Sequence, residues 1–163
     1  MDDQTFKEAL RQWVAGVTVV TTKHDDTLHG MTASSFTSVS LNPHLILVAL
    51  GKHLYTHELI EKSGIFAANI LHTGQLEWAK RFAGMYPDIE DRFFDIDHTT
   101  AKTGAPILPG VVAWVDCQVE HAYAAGDHTI YVGRVVAAAG SGGNDPLLYH
   151  NRTWGKFAAT DDQ

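Results

Sequence analysis

Residues 30–40 have the sequence Gly-Met-Thr-Ala-Ser-Ser-Phe-Thr-Ser-Val-Ser, and six of the nine side chains from Thr32 to Ser40 carry a hydroxyl. The stretch is otherwise typical of a barrel strand, and a strand that faces only core and water has little use for so many hydroxyls. Hydroxyls and closely spaced backbone N–H groups suit a phosphate and a polar heterocycle, and small residues let the main chain come close to a ligand. A surface strand rich in Ser and Thr is the alternative, and this stretch alone does not decide between the two.

The composition is that of one globular domain. The chain has 163 residues, of which 45% are hydrophobic and 19% charged, and a domain of this size buries roughly two thirds of its unfolded surface. We expect a single domain over residues 1–163. The formal net charge of -7 opposes a phosphate backbone, so we expect no nucleic-acid partner.

The number of cysteines limits the metal sites that are possible, and the first residues indicate the cellular compartment. Cys117 is the only cysteine of the sequence, which excludes an internal disulfide and a cysteine-rich metal site. Residues 1–4 lack the basic and apolar regions of a signal peptide, and no run of about 18 apolar residues could span a membrane. We therefore expect a cytoplasmic protein with no membrane partner.

Residue patterns in the first half predict alternating helices and strands. Phe6, Leu10, Trp13 and Val14 repeat at helical spacing between a predicted N-cap at Asp3 and a stop at Gly16. The pattern then predicts strands at 17–22 and 28–36, a fully buried strand at 45–50, a short helix at 56–62 ended by Ser63-Gly64, a buried strand at 65–71 and a helix at 74–82.

The second half predicts a loop and then a long hairpin. Residues 84–110 hold three prolines and many charges, which favours a mostly irregular segment. From Val111 the apolar residues alternate, which predicts a half-buried strand with Cys117 on its core face and Asp116 on its polar face. Turn residues 125–127 lead into an antiparallel partner at 128–138, and residues 147–150 form a last strand. Six or seven strands with short helices favour a closed or nearly closed β-barrel.

Six motifs occur in an order known from one family. They are residues 6–13 with 16–21, the hydroxyl run 30–40, residues 63–71, Phe82-Ala83-Gly84, Gly126-Asp127-His128, and Pro146-Leu147-Leu148-Tyr149. Together they resemble the flavin reductase-like family with the FMN-binding split-barrel fold, in particular the small reductase components of two-component flavin monooxygenases such as 4-hydroxyphenylacetate and styrene monooxygenases. Each motif alone is weak, but their fixed order covers nearly the whole chain.

The resemblance implies a mainly β split barrel with short helices at the barrel ends. It also implies a homodimer that binds FMN or FAD and reduces it with NADH, with NADPH left open, and that passes reduced flavin by diffusion to a separate monooxygenase. Such hydride transfer needs the two reacting rings stacked roughly 3 to 3.5 Å apart, and little acid–base machinery.

The same resemblance implies the residues of the site. The flavin contacts are Met31, Thr32, Ala33, Ser34, Ser35 and Ser40 from the hydroxyl run, Val48, Ala49 and Leu50 as an apolar bed, Lys52, His53 and Thr56 near the phosphate, and Phe82, Ala83 and Gly84 at a helix end. Tyr149, Arg152 and Trp154 form a wall for the nicotinamide, and His128 orients the hydride donor. The family often has a Ser pair after the lysine, where this chain has His53 and Leu54, and His53 can substitute as a donor.

Other interpretations of these residues need no ligand. Lys52 would be a solvated loop lysine and His128 a turn histidine with a local hydrogen bond. His53 and His57 are four residues apart, but no third ligand is evident, so we expect exposed histidines and no metal. Cys117 is expected to be a small buried thiol.

Two further functions also remain open, and they belong to different classes. One is an electron carrier with tightly bound flavin, and the other is a non-catalytic barrel that binds flavin or haem. The segment from Gly104 onward holds only Arg134, Arg152 and Lys156 as cations, with Arg134 expected to pair with an acid, which favours NADH over NADPH.

Overall fold

The structure is a computed structural model that describes residues 1–160, and it is mainly β. Its helices are α1 (Asp3–Arg11), α2 (Tyr55–Ser63) and α3 (Leu76–Phe82), the last preceded by a 3₁₀ turn at Thr73–Gln75. Its strands are β1 (Ala15–Gly16), β2 (Thr18–His24), β3 (Thr27–Ala33), β4 (Thr37–Leu41), β5 (His44–Gly51), β6 (Ile65–Ile70), β7 (Thr99–Thr100), β8 (Pro106–Ile107), β9 (Ala113–Ala125), β10 (His128–Gly140), β11 (Leu147–His150) and β12 (Thr153–Lys156).

Seven of these strands form one antiparallel sheet. Their order is β3-β2-β6-β9-β10-β5-β4, beside a three-stranded sheet β1-β11-β12 and the pair β7-β8. Strands β3 and β4 are the two edges of the large sheet, and no strand pairing joins them within residues 1–160. The mainly β prediction is confirmed, whereas closure of a barrel is not seen in the strand pairing of this range.

The hydroxyl run does not form the single strand predicted for residues 28–36. Strand β3 ends at Ala33 and β4 begins at Thr37, so that prediction is wrong at its C-terminal end. Between the two strands, the Ser35 hydroxyl donates to the Ala49 carbonyl at 2.8 Å and accepts from the Ala49 N–H at 3.1 Å. This side chain satisfies the backbone of β5 beyond the point where β4 begins, and it holds the β3–β4 connection against β5.

The first helix starts and ends earlier than its periodicity predicts. Its N-cap is Asp2, not Asp3, because the Asp2 carboxylate accepts the Thr5 N–H at 2.8 Å. It ends at Arg11 and not at Gly16, because Ala15 and Gly16 pair with β11. The short strands β1 and β12 were not predicted, since each is only two to four residues long.

The other helices lie close to their predicted positions. Helix α2 ends as predicted before Gly64, whose φ of 69° is the left-handed conformation that favours glycine. His57 of this helix is buried, however, so the prediction of an exposed histidine is wrong. Its Nε2 lies 2.8 Å from the Thr129 hydroxyl, and that partner is distant in sequence.

Two strand predictions fail in opposite directions. Strand β5 alternates, with Ile46, Val48 and Leu50 buried and the residues between them half-buried, so it is not fully buried as predicted. Strand β9 buries Asp116 completely, although alternation assigned it to a polar face. The reason is a covering loop, whose Lys102 and Thr103 N–H groups donate to the Asp116 carboxylate at 2.7 and 2.8 Å.

The core lies on both sides of the central strands. One cluster includes Val19, Leu71 and Phe82, and the other includes Val48 and Phe66. Cys117 is fully buried as predicted, and burial raises the pKa of its thiol to about 12. Among residues 1–160, no helix is long and apolar enough to cross a membrane.

Candidate functional site

A groove opens between the hydroxyl run, the end of α3 and the β11–β12 hairpin. We call it the aromatic groove; its volume is about 210 Å³ and its lining is Val17, Thr32, Ala33, Ser34, Ala83, Met85, Tyr149 and Trp154. Six of these eight residues were predicted from the sequence, so the structure brings together side chains from three distant segments.

The aromatic wall of this groove is built by a tight hairpin. Asn151 and Arg152 both have positive φ, 45° and 63°, which is the backbone of a two-residue turn whose twist matches the flanking strands. The hairpin register pairs Tyr149 with Trp154, and their ring centroids lie 4.7 Å apart. The two ring planes are inclined by 56°, and together the rings form an aromatic wall beside Ser34.

The hydroxyls of the run differ in what they bind. The Thr32 hydroxyl donates to the Ala79 carbonyl at 2.6 Å, Ser35 binds Ala49, and the Ser40 hydroxyl accepts the Asn42 N–H at 3.2 Å. Ser34 is exposed on the groove, and its hydroxyl has no hydrogen-bond partner among residues 1–160. Of the two hydroxyls that the run contributes to the groove, Thr32 and Ser34, only that of Ser34 is thus free, among residues 1–160, to bind a ligand.

A second groove continues from the first through Ser34 and Tyr149. We call it the cationic groove; its volume is about 290 Å³ and its lining is Lys7, Leu10, Arg11, Trp13, Ala15, Ser34, Tyr149, Asn151 and Arg152. No residue of α1 was predicted from the sequence to belong to the site. The available signal was the spacing of Lys7 and Arg11, which puts two cations on one helical face.

A third group of predicted residues lies where β5 ends and β10 begins. In this β5–β10 corner, the Lys52 ammonium donates to the Gly126 carbonyl at 2.7 Å, and His128 Nδ1 lies 2.7 Å from an Asp127 carboxylate oxygen. The hydrogen bond from His128 lowers the pKa of Asp127. Both Lys52 and His128 are exposed, so a ligand can reach them.

The corner and the hydroxyl run are neighbours along β5. His128 pairs with Gly51, and Gly51 is two residues beyond Ala49, which binds Ser35. At about 3.3 Å per residue, the corner begins roughly 7 Å along the strand from that contact. The corner and the Ser35 contact therefore lie on neighbouring parts of the same strand.

The remaining predicted residues are placed differently. Val48, Leu50 and Phe82 are enclosed in the core, and the buried Thr56 hydroxyl lies 2.8 Å from His29 Nδ1. Met31 packs against the second core cluster, Ser40 lies on edge strand β4, His53 is exposed in the corner, and Gly84 follows α3 with a φ of 75°.

His29 stands close to the site without lining either groove. Burial, and to a lesser extent the charge of Arg92, lowers its pKa to about 4. Arg92 itself donates to the carbonyls of Gly30 and Phe82 at 2.9 and 3.0 Å. These bonds fix the two segments that supply Thr32 and Ala83 to the aromatic groove.

The chemistry of the lining residues is that of a binding site for a flat, polar, anionic ligand. An aromatic surface suits stacking, small residues permit close approach, and a free hydroxyl and several cations suit ring edges and phosphates. Comparison with known proteins agrees with this chemistry. The sequence pattern described as "Flavin reductase like domain" matches residues 10–158. The chain belongs to the flavin reductase family.

Individual members of the flavin reductase family are similar over nearly the full chain. A flavin reductase from Pseudomonas putida is 38% identical over 160 residues, covering 98% of this chain and 92% of that protein. The reductase subunit of a flavin-dependent monooxygenase from Mycobacterium tuberculosis (strain CDC 1551 / Oshkosh) is 37% identical over 135 residues, covering 83% of this chain and 71% of that protein. The resemblance stated from the sequence motifs is confirmed.

A solved structure extends the similarity to the fold. The NADH:FAD oxidoreductase of Streptomyces globisporus C-1027, in complex with NAD and FAD fragments, superposes with a TM-score of 0.90 at 34% identity. The superposition covers 99% of this chain and 96% of that one. The NAD and FAD fragments bound in that structure belong to the two classes of molecule that the family resemblance implies.

Proposed function

We propose that this protein oxidises NADH, reduces FMN or FAD, and supplies the reduced flavin to a separate flavin-dependent monooxygenase. The similarity to an NADH:FAD oxidoreductase and to a monooxygenase reductase subunit supports both halves of the proposal. The observation that carries it in this chain is the aromatic groove, in which the unpartnered Ser34 hydroxyl stands beside the Tyr149–Trp154 surface.

The residues of the aromatic groove fit an isoalloxazine ring. Ser34 would donate to a polar ring edge, and Ala33 and Ala83 are small enough to let a ring lie against the main chain. Tyr149 and Trp154 would form the wall for a nicotinamide stacked on that ring and would limit water. A bound flavin supplies the hydride acceptor, while the protein supplies position and orientation.

The β5–β10 corner would complete the site. Lys52 and His53 are exposed donors for a phosphate, and His128, held by Asp127, would orient the nicotinamide. A phosphate contact from Thr56 would require its hydroxyl to leave His29, because the two are already paired. The enclosed Val48 and Leu50 would support the site from behind through Ala49.

We also propose one flavin reductase-like domain over residues 1–163, a split-barrel arrangement of the large sheet, and a homodimer. Edge strand β4 and its neighbours β5 and β10 leave apolar surface for a second copy, with Leu41 86% exposed in a groove that Leu45 and Val135 also line. Sedimentation velocity on the wild type and on Leu41→Glu tests the dimer. A monomeric wild type would contradict it.

Steady-state oxidation of NADH and NADPH, with FMN, FAD and riboflavin added in turn, tests the activity. We expect NADH oxidation to depend on added flavin and to exceed NADPH oxidation with the same flavin. A rate that does not rise with any of the three flavins would overturn the proposal.

The state of the flavin tests the supply to a partner. If flavin is a substrate, the purified protein carries little of it, and a flavin-dependent monooxygenase behind a dialysis membrane still turns over. A yellow protein with one flavin per chain, and no turnover across the membrane, would instead show an electron carrier.

A further inference from the structure

We propose that Lys7, Arg11 and Arg152 bind the diphosphate of a nucleotide in the cationic groove, with Trp13 stacking on its base. The proposal rests on the proposed function only for the identity of the nucleotide. Of the residues that line this groove, only Ser34, Tyr149 and Arg152 were given a site role from the sequence.

Charge is the first observation. The chain carries a formal net charge of -7, yet three cations line this one groove. Within residues 1–160, none of the three has an acidic side chain within 4.0 Å, whereas Arg81 and Arg134 both do. Cations without acidic partners repel one another and attract an anion, so the groove favours a ligand that carries more than one negative charge.

The second observation is how the three cations are brought together. The Asn151 N–H donates to the Arg11 carbonyl at 3.0 Å, which docks the end of α1 on the turn of the β11–β12 hairpin. Arg152 follows in the left-handed conformation, with a φ of 63°, which is unusual for a residue with a long side chain. The fold thus holds Arg152 beside α1 at some cost in backbone strain.

The indole of Trp13 favours a nucleotide over a simple anion as the ligand of this groove. Its side chain is 76% exposed and lines the same groove as Lys7 and Arg11. An exposed indole beside cations suits a base stacked next to its phosphates. Because the cationic groove shares Ser34 and Tyr149 with the aromatic groove, the nucleotide end of a dinucleotide can lie here while its ring lies there.

Direct titration with ADP, adenosine and inorganic pyrophosphate tests the site without turnover. By isothermal calorimetry we expect ADP to bind the wild type about tenfold or more tightly than adenosine, and the double variant Lys7→Gln/Arg11→Gln to lose about tenfold or more of the ADP affinity. Trp13→Ala should weaken the binding of ADP and leave the affinity for pyrophosphate unchanged. Lys23→Gln, an exposed lysine at the far end of β2, is the matched control and should bind ADP like the wild type.

Arg11 also lies in the last turn of α1, where a cation stabilises the helix end. Lys7→Gln alone therefore serves as the second variant, because Lys7 is exposed and lies one turn earlier. Equal ADP affinity in the wild type and in both glutamine variants, or no ADP binding by the wild type, would overturn the proposal. Equal loss of ADP and pyrophosphate in Trp13→Ala would overturn the role of the indole.

Kinetics with FMN and with FAD then identify the source of the diphosphate. If it belongs to NADH, the double variant raises the KM for NADH with either flavin and leaves the affinity for FAD unchanged. If the diphosphate belongs to FAD, the double variant weakens only the binding of FAD and leaves turnover with FMN unchanged. A wild type that binds ADP but oxidises no NADH would contradict the proposed function and leave this site standing.

Discussion

The polar groups under the covering loop and the polar groups of the two grooves differ in one respect. Asp116 is fully buried, and its carboxylate accepts two backbone N–H groups and the Thr103 hydroxyl. Ser34, Lys7 and Arg152 are open to solvent, and none has a side-chain partner among residues 1–160. The carboxylate of Asp116 is satisfied by the protein itself, whereas Ser34, Lys7 and Arg152 are open to water and to a ligand.

The difference separates stability from binding. A buried polar group that loses its partner costs free energy of folding, because it has also lost water. A polar group in an open groove is hydrated until a ligand arrives, so its loss costs affinity and not stability. Variants in the two regions should therefore change different measurements.

Asp116→Ala should give the largest effect. It leaves two N–H groups and one hydroxyl without an acceptor, and we expect the free energy of unfolding to fall by about 3 to 5 kcal/mol. Urea denaturation measures this loss, and Glu58→Ala, which breaks an exposed pair with Lys62, is the control, with an expected loss of about 0.5 kcal/mol or less. Similar losses in the two variants would mean that the Asp116 carboxylate is not a structural element.

Ser35→Ala and Ser34→Ala form the sharpest pair, because the two residues are adjacent and carry the same hydroxyl. Ser35→Ala leaves the Ala49 N–H and carbonyl unpartnered and should lower the free energy of unfolding by about 1 to 2 kcal/mol. Ser34→Ala should leave the free energy of unfolding unchanged and lower the affinity for flavin by about three- to tenfold. Fluorescence titration with flavin and urea denaturation of both variants measure these effects. Loss of stability in Ser34→Ala, with loss of flavin affinity in Ser35→Ala, would contradict the assignment of the two hydroxyls.

The variant His128→Ala tests whether the β5–β10 corner acts on NADH while the grooves act on flavin. If His128 orients the nicotinamide, kcat/KM for NADH should fall by about tenfold while flavin affinity stays at the wild-type value, because only the second substrate loses a contact. Stopped-flow reduction at varied NADH concentrations measures it. His121→Ala, an exposed histidine on β9, should behave like the wild type. A wild-type rate in His128→Ala would leave His128 as a turn residue that pairs with Asp127.

Sequence patterns predicted most of the long strands and the end of α2, because these features depend on residues that are close in the chain. Alternation and β-branched runs located most of the long strands, and Gly64 marked the end of α2. The same local view misplaced Asp116 and His57. Their partners, Thr103 and Thr129, lie in remote segments that no periodicity connects to them.

The site was predictable where a motif carried it and not where packing made it. The hydroxyl run, Tyr149 and Trp154 stand in recognisable segments, and the structure brings them to one groove. The cations of α1 lie in the adjoining cationic groove, where a long-range hydrogen bond from the Asn151 N–H to the Arg11 carbonyl docks the helix, and no sequence pattern indicates that bond. Nor did the run itself reveal which hydroxyls bind the backbone.

The smallest expected effect concerns His29, which is half-buried and belongs to neither region. Burial lowers its pKa from the ordinary 6.5 to about 4, so the folded protein holds it neutral where the unfolded chain takes up a proton. As pH falls from 6.5 to about 4 the unfolded state gains that proton first, and the free energy of unfolding decreases. Below about pH 4 both states are protonated and this contribution stops changing.

His29→Gln removes the titrating ring and keeps a polar group beside the Thr56 hydroxyl. We expect the fall in unfolding free energy between pH 6.5 and 4 to be shallower in this variant by about 1 kcal/mol, since the ring is half-exposed and the full shift is screened. Thr56→Val removes the hydrogen bond but leaves the ring buried, so its pH dependence should follow the wild type at a lower overall stability. Urea denaturation at several pH values measures all three proteins. Parallel pH profiles for the wild type and His29→Gln would show that the ring is hydrated enough to titrate normally, and His29 would then belong with the open polar groups of the grooves.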